Sequence, residues 1–125
     1  MNENEISKII VDKSIKVHNS LGPGLFESVY ETALEFELRN AGLFVLTQVV
    51  VPVVYETIKL EAGFRADIIV ENKVIIEIKS IEIIAPVHKK QLLTYLRLSN
   101  IKLGLLINFN VEWLKDGIIR IVNNL

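Results

Sequence analysis

Two runs of strand-forming residues, Phe64 to Val70 and Val74 to Lys79, flank the tripeptide Glu71-Asn72-Lys73, and this arrangement limits what the chain can become. A three-residue loop between such runs predicts a β-hairpin. Val70 then pairs with Val74, Ile68 with Ile76, Asp67 with Glu77 and Arg65 with Lys79. Strand alternation places Ile68, Val70, Val74, Ile76 and Ile78 on one wholly apolar face. Arg65, Asp67, Ile69, Ile75, Glu77 and Lys79 fall on the other. Carboxylates directly opposed across a ladder sit roughly 4.5–5.5 Å apart at Cβ and repel. Three things can offset that repulsion: a shared proton, a cation such as Lys79 or Arg65, or a divalent metal between the acids. Ile69 and Ile75 on the same face argue for burial rather than a solvated hairpin.

The rest of the chain supplies partners for this hairpin. Glu3 to Asn19 carries Ile6, Ile9, Ile10 and Val17 at helical spacing, and Leu21-Gly22-Pro23-Gly24 ends that helix. A second helix from about Phe26 presents Tyr30, Ala33, Leu34, Glu37, Leu38 and Ala41 on one stripe, which Glu27 shares, with Gly42 suited to its C-terminal cap. Leu43 to Val54 reads as a strand in which Pro52 marks an edge or a bulge. Pro86 or Val87 opens a third helix bearing His88, Gln91, Leu92 and Tyr95, followed by strands at Leu103 to Asn108 and Ile118 to Val122. A helix between the Glu77 and Leu103 strands makes a crossover, so those two strands are expected to be parallel. The predicted fold class is α/β, with a mixed central sheet flanked by helices, in a single domain spanning residues 1–125.

Composition removes several function classes. Half of the residues are apolar and the formal charge is −1, which fits a compact domain and gives no bulk basic surface for nucleic acid. The chain has no cysteine, so disulfides and thiolate zinc sites are excluded. Its polar, acidic start differs from a secretory signal, and the uncharged stretch from Ala41 to Tyr55 is too short to span a bilayer. A cytoplasmic location and no membrane association are therefore expected. Gly22-Pro23-Gly24 lacks the spacing and the following lysine of a nucleotide-binding loop.

Gly24-Leu25-Phe26-Glu27-Ser28-Val29-Tyr30, the Asp67 and Glu77-Ile78-Lys79 hairpin, and the Gln91 to Tyr95 helix together resemble the small prokaryotic GxxExxY family, which is placed within the PD-(D/E)XK nuclease superfamily. The resemblance runs from about His18 through Asn110 and takes in Pro86-Val87-His88 and Gly104 to Phe109. It implies a restriction-endonuclease-like core. It also implies that Asp67, Glu77 and the main-chain carbonyl of Ile78 hold Mg²⁺ or Mn²⁺, that Glu27 completes the acidic cluster, and that Lys79 acts on the attacking water. Gln91, on a helix that superfamily nucleases use to support the site, joins Glu27, Asp67, Glu77 and Lys79 as a candidate catalytic residue. The motif's proline before the aspartate is Ala66 here.

The function so implied is metal-dependent hydrolysis of phosphodiester bonds, with DNA as the nucleic-acid partner. The alternative is a non-catalytic nuclease-fold module that binds nucleic acid or a protein. The apolar segment Val49 to Val54 offers a surface for a homodimer. Bland roles are expected elsewhere: Tyr30 as a core aromatic with its hydroxyl satisfied, His18 bonded to backbone near the glycine-rich bend, His88 at a helix start, and Lys89 and Lys90 on a solvated face.

Overall fold

The protein is described by a computed structural model that covers the backbone of residues 1–125 and the side chains of all but residues 61 and 62. In chain order the elements are α1 (Glu3–Leu21), α2 (Glu27–Asn40), β1 (Val45–Tyr55), β2 (Ile58–Val70), β3 (Val74–Lys79), α3 (Pro86–Ser99), β4 (Leu103–Asn108), a 3₁₀ turn (Leu114–Gly117) and β5 (Ile118–Val122). The strands form one sheet in the order β1-β2-β3-β4-β5.

The hairpin forms in the predicted register, with Ile68 opposite Ile76, Ile69 opposite Ile75 and Val70 opposite Val74. Glu71 and Asn72 turn the chain through left-handed backbone at φ 54°, a conformation for which asparagine is well suited. The α3 crossover makes β3 and β4 parallel, from Val74 opposite Leu103 to Lys79 opposite Asn108. Every residue of β4 is buried, as expected for a strand covered on both faces.

Helices cover the two faces unequally. Ile6, Ile10 and Val17 of α1 and Tyr30, Leu34 and Leu38 of α2 pack on Ile68, Val70, Val74, Ile76 and Ile78. The opposite face takes α3 alone, through Leu92 and Leu96 against Phe64, Ala66, Ile69, Ile75 and Leu106. α2 stops at a glycine cap: Gly42, at φ 84°, donates to the Arg39 carbonyl, and Leu43 donates to that of Leu38.

Two expectations about β1 and β2 need correction. The antiparallel ladder between β2 and β3 ends at Ile68 and Ile76, so neither the Asp67–Glu77 nor the Arg65–Lys79 rung forms. Phe64 and Ala66 lie on the α3 face together with Ile69, whereas Ile68 lies on the α1/α2 face. Simple alternation along β2 therefore breaks between Ala66 and Ile68, and Arg65 is exposed rather than lined up with Lys79. β1 breaks at the same level: Val45 packs on the α1/α2 side, Val49 and Val51 on the α3 side. The physical cause is a skipped rung. Thr47 pairs with Ile68 and Val49 with Ala66, but Gln48, at φ 51°, and Asp67 between them form no ladder pair.

Pro52 marks a register shift between Val51 and Val53 on an edge strand, as its missing N–H requires. Val49 and Val51 point inward, which leaves Val50 and Val54 as the exposed valines of the segment expected to carry a dimer surface.

Gly104 sets how closely α3 approaches the sheet. A Cβ there would lie 3.0 Å from Cγ and both Cδ atoms of Leu92, a side chain buried in the α3 layer. Gly104→Val is expected to lower the unfolding free energy by about 1–3 kcal/mol through overpacking, measured by urea denaturation.

Candidate active site

Where β2 and β3 cease to pair, the Asp67 carboxylate takes the place of the missing strand. Its Oδ2 accepts the Ile78 N–H at 2.9 Å. Backbone N–H and C=O of one strand residue project to the same side, and the Lys79 carbonyl accepts Phe109 N–H on the β4 side. The Ile78 carbonyl thus opens toward Asp67, as a metal-ligand role requires.

Glu77 stands beside this pair. It is buried, with 8% of its surface exposed, and its Oε1 has no hydrogen-bond partner among the described residues. Burial first, and the Asp67 charge second, push the Glu77 carboxyl up to about 9, with Lys79 opposing them. Of the three offsets for the acid–acid repulsion, a proton held on Glu77 accords with this upward shift. A cation is the other way to satisfy Oε1, an unpartnered hard oxygen beside a second carboxylate and an open carbonyl.

Glu27 approaches from α2 but is otherwise engaged. Its Oε2 accepts Ser80 N–H at 3.1 Å, while Ser80 Oγ donates to the Leu25 carbonyl at 2.6 Å. These bonds dock the start of α2 onto the end of β3. The glycine-rich bend is locked from the other side: the Tyr30 hydroxyl donates to the Gly22 carbonyl at 2.5 Å and accepts Leu25 N–H at 3.1 Å, with its ring stacked on Phe109. Tyr30 thus has the expected core role, and Gly24, at φ 93°, lets the bend close. Among the described residues no group of three or more His, Cys, Asp or Glu is placed to hold a metal, so Glu27 is not gathered with Asp67 and Glu77.

The sequence profile of the PD-(D/E)XK nuclease superfamily matches residues 4–121, nearly the whole chain. The chain belongs to the PD-(D/E)XK nuclease superfamily. No curated protein and no solved structure matches it. The narrower GxxExxY grouping rests on the resemblance of the Gly24 to Tyr30 segment. The fold is the restriction-endonuclease-like one, a mixed sheet flanked by helices. Among the described residues no helix is long and apolar enough to cross a membrane.

Gln91 is exposed, and its side chain makes no hydrogen bond among the described residues. Tyr95, one turn further along α3, stacks on Phe64 with ring centroids 4.0 Å apart. Burial, then the charges of Glu77 and Asp67, raise its hydroxyl above the usual value. Two residues passed over in the sequence also reach the site. Gln48 Nε2 donates to Glu31 Oε1 at 2.6 Å and lies 3.4 Å from Asp67 Oδ1. Burial raises the Glu31 carboxyl; the Gln48 hydrogen bond opposes this, and Asp67 and Glu35 add to it. The signals were faint: a lone amide in a valine-rich strand and a second acid one turn after Glu27.

The histidines serve the scaffold. The His18 ring bonds the Val111 carbonyl at 2.8 Å while its main-chain carbonyl accepts Gly22 N–H at the glycine bend, and His88 Nδ1 accepts Ala85 N–H at 3.0 Å at the start of α3.

A carboxyl whose folded value is raised holds its proton more tightly in the native state, so its contribution to stability is complete below about 4.5 and is lost as pH rises toward about 9. Thermal unfolding in chelator should therefore show the melting temperature falling between pH 5 and 9. Glu77→Gln should flatten that slope and be more stable than wild type at pH 8 by about 1–3 kcal/mol, since a neutral amide replaces a buried charge.

Proposed function

We propose that the protein is a metal-dependent nuclease that hydrolyses phosphodiester bonds in DNA. The observation that carries this reading is the orphaned Oε1 of buried Glu77, next to an Asp67 carboxylate already oriented by a main-chain N–H. Asp67, Glu77 and the Ile78 carbonyl would hold Mg²⁺ or Mn²⁺, hard cations that accept few protein oxygens and leave room for water and phosphate. When bound, such a cation neutralises charge on the scissile phosphate and acidifies water. Lys79, half-buried at the end of β3 and among the charges felt by Glu77, would pair with a non-bridging phosphate oxygen and orient the attacking water. The new bond joins water oxygen to phosphorus. The bridging P–O bond breaks, and the departing oxygen leaves as a hydroxyl once protonated.

Glu27 and Gln91 are assigned supporting roles at the rim. Glu27 holds Ser80, and with it the residue after Lys79, in register with the start of α2. Gln91 shares its helical face with Tyr95 and is exposed, as a contact to the sugar-phosphate backbone requires. With little surface beyond the core, cutting would be weakly sequence-specific. Self-association through the exposed Val50 and Val54 of β1 would let two copies address two strands.

One observation favours a second reading, a nuclease-fold module that binds nucleic acid without cutting it: among the described residues no group of three or more acids or histidines is placed to hold a metal. Supercoiled plasmid incubated with pure protein and Mn²⁺ separates the two. Wild type should nick it, and Lys79→Ala should lose about 10²-fold or more of the rate while keeping its melting temperature. Equal cleavage by both proteins, or none by wild type despite calorimetric Mn²⁺ binding, would overturn the catalytic reading.

A further inference from the structure

Gln48 is the strained residue closest to the acidic pair. Its backbone is left-handed at φ 51°, a region disfavoured for a residue with a full side chain. It lies within β1, not in a turn, at the one rung of the β1–β2 ladder below Pro52 that is skipped. Both strands change faces at that rung, and the register is the same above and below it. The consequences fall on Asp67. Without the kink, alternation would commit Asp67 to the apolar α3 face with Ile69, and Phe64 would lose its place against Tyr95. With the kink, Phe64 and Ala66 enter the α3 layer and the Asp67 carboxylate lies beside β3, where Ile78 N–H meets it.

The Gln48 amide adds a second hold. Its short bond goes to Glu31 Oε1 and its longer contact to Asp67 Oδ1, so one NH₂ group stands between two carboxylates from different elements. Asp67 is thereby oriented through both oxygens, Oδ2 by Ile78 N–H and Oδ1 by Gln48.

We infer that Gln48 is a positioning residue: its left-handed backbone turns Asp67 out of the β1–β2 ladder and onto the Ile78 amide, and its side chain ties Asp67 to Glu31. The consequence for metal affinity rests on the reading of Asp67 as a metal-holding carboxylate; the consequence for the Ile78 amide does not.

Hydrogen exchange in chelator reads the Ile78 amide directly, because Asp67 is the acceptor it uses where the ladder has ended. Gln48→Val, whose branched side chain disfavours positive φ, should lower protection at Ile78 by about tenfold or more relative to the amides of β4, and weaken Mn²⁺ binding by calorimetry about tenfold. Gln48→Gly, which keeps the kink without strain, should restore Ile78 protection to within about threefold of wild type and match or exceed wild-type stability. If Gln48→Val does not fold, Gln48→Ala is read in its place, with a smaller shift in the same direction. A folded Gln48→Val with wild-type protection at Ile78 would overturn the inference. Wild type that fails to bind Mn²⁺ while the exchange pattern holds would instead sink the metal reading and leave the positioning role standing.

Discussion

The site depends on one hydrogen bond, from Ile78 N–H to the Asp67 carboxylate. A main-chain donor in the centre of a sheet ordinarily goes to a neighbouring strand, and leaving it unpaired would be costly. Here β2 pairs with β3 only from Ile68 onward and diverges before it, and a side chain fills the vacancy. Scaffold and chemistry thus share an atom: the carboxylate that completes the backbone accounting of β3 is the one a cation would need. The Ile78 carbonyl, deprived of the same partner strand, opens on the same side.

Holding Glu77 in place is the work of the layers on either face. Apolar neighbours on β2, β3 and β4 and the α3 cover exclude water from its Oε1, and this raises the carboxyl's affinity for a proton. A group that is unsatisfied in isolation and satisfied by a cation favours binding at the expense of stability, the trade expected where a fold keeps a reactive site. The parallel β3–β4 pair makes this possible, because it anchors Glu77 and Lys79 rigidly while the β2 side is free to diverge.

α2 reaches the same point by a separate route. The bend at Gly22 to Gly24 is closed by Tyr30, and Ser80 is held by both Leu25 and Glu27, so the start of the helix is fixed against the end of β3. This explains the spacing of Gly24, Glu27 and Tyr30 as a local mechanical unit: the glycine allows the bend, the tyrosine locks it, and the glutamate between them faces outward to the strand end. Glu31, one turn later, faces Gln48 instead.

The sequence by itself determined the element order, the three hairpin rungs nearest the turn and the parallel crossover, because these follow from local periodicity, turn length and short-range pairing. It did not determine the side on which Arg65 and Phe64 lie. Alternation is a rule for an unbroken strand, and the break at Gln48 comes from a backbone conformation that glutamine does not advertise. Nor could it separate Gln91 from Tyr95, which share a helical face, or show that Glu27 is occupied by Ser80 while Glu31 is tied to Asp67 through Gln48. Those outcomes depend on how α2 and α3 dock against the sheet, and docking is set by burial and close packing between segments far apart in the chain. Only the tertiary structure decides it.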